Sequence, residues 1–272
     1  MVYKCKSNAK INISLKIVGR KNGFHLLNSV FVPIDLCDEM EFHDSDDIEI
    51  IGFDIPKEEN IIYKTIMYIK NNYRTPNAGV KVVCNKHIPM MAGLGGGSSN
   101  AAFTIKAINE LWHLKLNVDD KLKIANNIGS DVPFFIVNTP SYVTGFGENI
   151  QPIEMKPIKG ILIYDGYGFN TTSIYKKYDS LDVPFDKDIQ KFNNKIEYTN
   201  SLEKAIIDEK GYDKVIEAIS LLKENGAKEA MMSGSGSSTF GIFDDDLTLN
   251  KAYENLKEKF KFVYLFHSIN TD

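Results

Sequence analysis

Cysteine is scarce in this chain, and what little there is excludes several classes of protein. Cys5, Cys37 and Cys84 are odd in number, far apart and free of any Cys-x-x-Cys pattern. That rules out a disulfide scaffold and a cysteine-rich zinc site, and it favours a reducing compartment. The five histidines show no metal-ligand spacing. No apolar run reaches the ~18 residues a membrane span needs, so the sequence predicts no contact with a membrane. The N-terminal Met-Val-Tyr-Lys-Cys-Lys-Ser-Asn reads as neither a signal peptide nor an arginine-rich transit peptide. A dominant charge is missing too: 32 basic residues face 36 acidic ones, net −4, with no basic stripe. Nucleic acid is therefore an unexpected partner. The expectation is a cytoplasmic, soluble protein whose 272 residues fill one large or two modest domains. No internal repeat, low-complexity segment or coiled-coil heptad appears, so neither oligomeric state nor protein partners can be read.

What is present is glycine, concentrated in one place. Pro89 to Asn100 reads Pro-Met-Met-Ala-Gly-Leu-Gly-Gly-Gly-Ser-Ser-Asn, with Gly93, Gly95, Gly96 and Gly97 within five positions. Glycine loses the most chain entropy on folding, so such a cluster signals a close backbone approach. Upstream, Val80 to Cys84 alternates as a strand. Downstream, Phe103, Ile105, Ala107, Ile108, Leu111 and Trp112 form the apolar face of a helix, with Ser98, Ser99 or Asn100 as its N-cap. Strand, glycine loop and helix N-terminus form a phosphate-binding arrangement, because free N–H groups and the positive dipole end meet there. No lysine follows the glycines, which excludes a Walker A loop. Ser98 stands where a dinucleotide fingerprint needs glycine, and the nearest acid, Glu110, lies inside the helix.

The remaining pattern is mixed. Ala9 to Val18 alternates as a half-buried strand. Further strands are expected at Ser29 to Leu36, Glu39 to His43 and Asp46 to Ile51, and helices at Asn60 to Tyr73 (capped by Asn60) and Val118 to Ile128 (capped by Asp119 or its neighbour). Phe134 to Val137 and Ser141 to Thr144 are short apolar or β-branched runs. Pro152 and Pro157 mark a boundary, giving domains at 1–154 and 155–272. Beyond it come a strand at Ile161 to Tyr164, a weakly patterned stretch from Asp165 to Asn200, helices at Tyr212 to Glu224 and Leu247 to Phe260, and a strand at Ser238 to Phe243.

Two further places carry chemistry. Lys10, Asn12 and Ser14 share one face of the first strand; alone, such a lysine reads as a solvated edge residue. Asp131, in Gly129-Ser130-Asp131-Val132-Pro133, reads equally as a cap of the next segment and as a catalytic carboxylate.

Taken together, Ala9-Lys10-Ile11-Asn12, the Pro89 to Ser99 loop and Met232-Ser-Gly-Ser-Gly-Ser-Ser resemble the three ordered motifs of the GHMP small-molecule kinases. The Gly23-Phe24-His25, Gly129 to Phe134 and Gly145 to Glu148 elements are similar to those of the member that acts on a cytidine-diphosphate-linked polyol of non-mevalonate isoprenoid synthesis. Asn8 stands where proline is common, and Phe24 replaces a tyrosine but keeps a flat ring.

The resemblance implies an α+β, two-domain fold, with an N-terminal ATP-binding domain, a C-terminal substrate domain and the site in the cleft between them. It implies ATP as co-substrate, Mg2+, and phosphoryl transfer to the polyol's 2-hydroxyl. Asp131 would be the general base and Lys10 its partner. Pro89, Met90, Met91, Ala92, Gly93, Leu94, Gly95, Gly96, Gly97, Ser98 and Ser99 would wrap the ATP phosphates. Asn12 would position the acceptor, Phe24 and Tyr175 would sandwich the cytosine, His25 would bond its edge, and Thr171 with Gly234, Ser235 and Gly236 would complete the acceptor side. Ser99 and Glu148 are weak candidates for magnesium. As plain residues, Tyr175 also reads as a core tyrosine, His25 as a loop histidine, and Gly234 to Ser238 as a turn into the next strand.

Overall fold

A computed structural model describes residues 2–73, 79–186 and 196–270. The chain forms two compact units. One comprises Met1–Ala9, Leu36–Ile88 and Gly95–Asn138; the other comprises Lys10–Asp35, Pro89–Leu94 and Thr139–Asp272. Two long strands, β1 (Val2–Lys21) and β2 (Phe24–Ser45), contribute to both. The segments expected as separate strands at Ser29 to Leu36 and Glu39 to His43 are therefore one continuous strand.

In the first unit β3 (Ile48–Ile51) runs parallel to the later β4 (Gly79–Asn85), which pairs antiparallel with β2 in the register Glu39↔Asn85 to Ser45↔Gly79. Between them lies α1 (Ile61–Asn72), capped as expected by Asn60, whose side chain accepts from the Ile62 amide at 2.9 Å. The helix buries Ile62, Ile66 and Ile69. The glycine-loop helix α2 (Gly96–Leu111) packs against α1, α3 (Val118–Ile128) and α4 (Val132–Val137).

Two helix caps differ from those expected. The cap of α2 is Gly95, at a left-handed φ of 69°, so Ser98 and Ser99 lie inside the first turn. The cap of α3 is Asn117, in a reciprocal capping box with Asp120. The apolar run Phe134 to Val137, left without an element by its pattern, is helical, with Pro133 in the first turn.

In the second unit β5 (Ser141–Gly145) and β6 (Asn149–Pro152) form a hairpin whose first strand pairs with β2, Leu27↔Gly145 to Phe31↔Ser141. After β7 (Lys159–Tyr164) the weakly patterned stretch gives α5 (Thr171–Ser180), capped by Asn170, and β8 (Thr199–Asn200), parallel to β1 at Ser14↔Thr199. Its residues 187–195 lie outside those described. Then come α6 (Tyr212–Glu224), β9 (Glu229–Met232), β10 (Thr239–Phe243), α7 (Asp246–Leu256) and β11 (Phe262–His267). An antiparallel sheet of order β11-β7-β10-β9 buries Ile161, Ile163 and Phe243 against Leu222, Leu249 and Leu256. The expected helix to Phe260 stops at Leu256, because Phe260 turns into this core.

The Ala9 to Val18 strand departs from the half-buried expectation. Ile11, Ile13, Leu15 and Ile17 are buried, but so are Lys10, Asn12, Ser14 and Lys16. Both faces of this strand are covered. A burial of that kind needs a dedicated partner for each polar group.

Candidate active site

Lys10 is 4% exposed, which excludes the solvated-edge reading. Its Nζ donates to Asn12 Oδ1 at 2.6 Å and to the Gly93 carbonyl at 3.1 Å, and lies 4.8 Å from the centre of the Phe31 ring. Asn12 is held in turn: its Nδ2 donates to Ser29 Oγ at 3.1 Å and its backbone amide to Ser233 Oγ at 3.3 Å. Ser233 Oγ donates to the same Gly93 carbonyl at 3.2 Å. The first strand, the glycine loop and the third loop therefore meet in one polar network.

Glycine is required on both sides of that meeting. A β-carbon at Gly93 (φ 75°) would lie 2.1 Å from the Ser233 carbonyl oxygen. One at Gly234 (φ 57°) would lie 2.9 Å from the Gly93 oxygen and 3.2 Å from both Lys10 Nζ and Asn12 Oδ1. Asn200 Nδ2 fixes the loop from below, donating to the carbonyls of Met232 and Gly234, each at 2.9 Å. Thr171 Oγ1 and Ser235 Oγ are hydrogen-bonded at 2.9 Å, joining the start of α5 to the same loop.

The Pro89–Leu94 segment is anchored by its carbonyls. Met90 accepts from Tyr164 Oη, Met91 from the Phe169 amide, Ala92 from the Ser238 amide, Gly93 from Lys10, and Leu94 from the Lys10 amide. In a trans peptide the N–H of the next residue points opposite to the carbonyl. The amides of Met91, Ala92, Gly93, Leu94 and Gly95 are thus aimed away from these anchors. This arrangement suits the backbone to an anion.

In the other unit, Gly95–Ser99 opens α2. Ser99 is fully buried, its Oγ accepting from Ser7 Oγ at 2.8 Å. Asp38, also fully buried, accepts from Lys86 Nζ at 2.7 Å, from the amides of His87 and Ile88, and from Asn100 Nδ2 at 3.0 Å. A β-carbon at Gly96 would meet Lys86 Nζ at 3.2 Å, so this ammonium group stands beside the start of α2. Asp131 occupies the N-cap position of α4 but makes no side-chain cap hydrogen bond, so its side chain does not play the capping role the sequence left open.

The aromatic residues form a third cluster. Phe24 is 68% exposed and meets Phe146 edge-on, with ring centroids 5.9 Å apart. His25 Nε2 lies 2.6 Å from Asp179 Oδ1, and its ring lies 4.9 Å from that of Tyr175 at a tilt of 35°. Glu148 turns back into its own hairpin, accepting from the Phe146 amide. Among the described residues no group of three His, Cys, Asp or Glu is placed to hold a metal ion.

Comparison with known proteins supplies the family. The GHMP kinases N terminal domain matches residues 60–139 and the GHMP kinases C terminal domain matches 185–261. A 4-diphosphocytidyl-2-C-methyl-D-erythritol kinase of Thermoanaerobacter pseudethanolicus is 35% identical over 98% of this chain and 96% of its own. One from Thermodesulfovibrio yellowstonii is 36% identical over 91% and 92%. The chain belongs to the 4-diphosphocytidyl-2-C-methyl-D-erythritol kinase family of the GHMP kinases. A solved 4-(cytidine 5'-diphospho)-2C-methyl-D-erythritol kinase superimposes with a TM-score of 0.84 at 25% identity, covering 99% of this chain and 100% of that one. The mevalonate kinase of Methanococcus jannaschii, at 0.69 and 14% identity over 99% and 98%, shares the fold. The two-domain α+β expectation is borne out.

For a kinase of this family, sequence reasoning missed several supporting residues. Ser233 and Asn200 hold the third loop, Asp38 and Lys86 hold the start of α2, and Phe146 and Asp179 back Phe24 and His25. Phe146 and Ser233 adjoin or lie within motifs already singled out. Asp38, Lys86, Asp179 and Asn200 carry no local signal, because only the folded chain brings them to their partners.

Proposed function

We propose that this kinase transfers the γ-phosphoryl group of ATP to the 2-hydroxyl of 4-diphosphocytidyl-2-C-methyl-D-erythritol. The observation that carries the reading is the network joining Lys10, Asn12, Gly93 and Ser233, which links the acceptor-side strand to the phosphate loop. The acceptor oxygen attacks the γ-phosphorus, the bond to the β-phosphate oxygen breaks, and ADP leaves. The hydroxyl proton goes to Asp131. An ordinary carboxylate pKa of about 4 lies far below that of an alcohol, so proton transfer accompanies attack instead of preceding it.

Lys10 supplies positive charge at a buried position, where its effect on a transferring phosphoryl group is weakly screened. The amides of the Pro89–Ser99 loop and the dipole of α2 take the ATP phosphates. Asn12 orients the acceptor. Phe24 and Tyr175 take the cytosine between them with His25 at its edge, and Thr171 with Gly234, Ser235 and Gly236 borders the polyol phosphates.

Magnesium would neutralise ATP's phosphates, and among the described residues no group of three His, Cys, Asp or Glu is placed to hold it. Ser99 is committed to a buried hydroxyl pair and Glu148 to its own turn. No step is assigned to either. No helix among the described residues is long and apolar enough to cross a membrane, and small-molecule substrates are in keeping with a cytoplasmic enzyme.

The test is an acceptor panel. The purified chain, ATP and magnesium are supplied in turn with the cytidylyl substrate, mevalonate, homoserine and galactose, and ADP release is followed. Turnover confined to the cytidylyl substrate is expected; turnover of none, or preference for another, would overturn the proposal.

A further inference from the structure

We infer that Asp179 is a positioning residue that makes the enzyme select cytosine over uracil, by fixing which ring nitrogen of His25 carries the proton. The inference rests on the reading that His25 faces the base of a nucleoside-diphosphate-linked acceptor.

The geometry is local to one unit. His25 follows Phe24 at the start of β2, and Asp179 lies near the end of α5. The His25 ring is only 11% exposed. Tyr175, at 4.9 Å and 35°, and Tyr178, at 6.4 Å and 82°, contact the ring and restrict its rotation. Its Nε2 is 2.6 Å from Asp179 Oδ1. The second carboxylate oxygen, Oδ2, pairs with Arg20 Nη2 at 3.2 Å. Arg20 in turn donates from Nε to the Gly23 carbonyl at 3.4 Å, across the turn that presents Phe24 and His25. Asp179 therefore grips both the imidazole and the loop that carries it. Among the described residues His25 Nδ1 has no partner.

The chemistry follows from the acceptor-only nature of a carboxylate. Asp179 can bond Nε2 only if Nε2 carries hydrogen, so in the neutral ring Nδ1 holds the lone pair. A lone pair at Nδ1 accepts from the exocyclic amine of cytosine. Uracil places a carbonyl oxygen at that position, and two acceptors repel each other. Discrimination therefore includes a repulsive element against the wrong base. A histidine with a free tautomer would lack it, since it could offer a lone pair to the cytosine amine or an N–H to the uracil carbonyl.

The variant that tests this is Asp179→Asn, which keeps size and shape but can donate to Nε2 through its amide, reversing the tautomer. The experiment compares kcat/KM for cytidine- and uridine-diphosphate-linked methylerythritol at pH 8, above the ordinary imidazole range, with KM for ATP as a control. Nitrogen-15 spectra of the full chain, with His25 assigned by loss of its signal in His25→Gln, read the tautomer independently of activity. The wild type is expected to show Nε2 protonated and Nδ1 bare. Asp179→Asn is expected to lower the cytidine-to-uridine preference by about tenfold or more, as expected when a polar group in a specificity pocket is mispaired, with KM for ATP unchanged. An equal fall for both acceptors, or Nδ1 protonated in the wild type, would overturn the inference and leave the kinase reading intact. Wild-type turnover of neither acceptor would instead sink the kinase reading, and this inference with it.

Discussion

Gly93 and Gly234 are both made necessary by one close approach of two loops. A β-carbon on Gly234 would press on the Gly93 carbonyl oxygen at 2.9 Å, and one on Gly93 would fall 2.1 Å from the carbonyl oxygen of Ser233, the residue before Gly234. Both stand at positive φ, where a side chain is strained whatever the space. Gly93→Ala is expected to lower kcat/KM by about 100-fold or more, in line with losses from misplacing reacting groups. It should also lower the melting temperature. Activity and thermal melts within error of wild type would contradict the close approach of the two loops.

Lys10→Ala removes a buried ammonium, takes this donor from Asn12 Oδ1 and leaves the Gly93 carbonyl with Ser233 Oγ. Turnover should fall by about 100- to 1,000-fold, the scale of a lost electrostatic stabiliser. Nucleotide binding, measured by titration with a fluorescent ATP analogue, should stay detectable, because the loop amides and α2 remain. Complete loss of nucleotide binding would assign Lys10 to the loop's architecture instead of the transfer step.

Asp131→Asn keeps the N-cap position of α4 but removes the proton acceptor. A fall in kcat of roughly 100- to 10,000-fold, read from initial rates, is expected for a lost general base. Near-normal turnover would remove Asp131 from the mechanism.

Phe24→Ala should raise KM for the cytidylyl acceptor about tenfold, matching a lost base–aromatic stack, and leave KM for ATP alone. Phe24 is 68% exposed, so little stability is at stake. An equal rise for both substrates, seen in initial-rate kinetics, would count against the stack.

Lys106 gives a stability prediction independent of catalysis. Burial first, and the nearby Lys121 charge second, push its pKa down from near 10.5 to about 8. Above pH 8 the fold has released a proton that the unfolded chain still binds, so stability rises with pH. Cys5 and Cys84 act oppositely. Burial raises both thiols from 9.0 to about 12, so above pH 9 the unfolded chain loses protons that the fold keeps, and stability falls. The net gain should be confined to roughly pH 8 to 9. Melts across that window should show it in the wild type and lose it in Lys106→Met; a rise unchanged in the variant would contradict the assignment.

Much of this protein is readable without coordinates, and the exceptions have physical causes. The α1 and α3 spans, the glycine loop and the family motifs are written in local periodicity and caps. The burial of Lys10 and Lys16 is not, since alternation reports only that a strand has two faces and not what covers the polar one. β9 is a four-residue strand, Glu-Ala-Met-Met, that tertiary pairing completes without a pattern of its own. By contrast β11, Phe-Val-Tyr-Leu-Phe-His, carries an aromatic and β-branched strand signal that the helix expected up to Phe260 overshadowed. The start of α2 at Gly96 escaped because Gly95 caps by conformation, where a serine would cap by its side chain. Asp38 and Asp179 act at sequence distances of 62 residues to Asn100 and 154 to His25, beyond any local pattern.

The central claim is the identity of the transfer, and phosphorus-31 spectroscopy of the product tests it most directly. Incubated with ATP, magnesium and the cytidylyl acceptor, the enzyme should produce ADP and one new phosphomonoester signal, coupled to the 2-position of the methylerythritol, with the diphosphate bridge to cytidine intact. A phosphomonoester at another hydroxyl, or ADP formed with no phosphorylated acceptor, would contradict it.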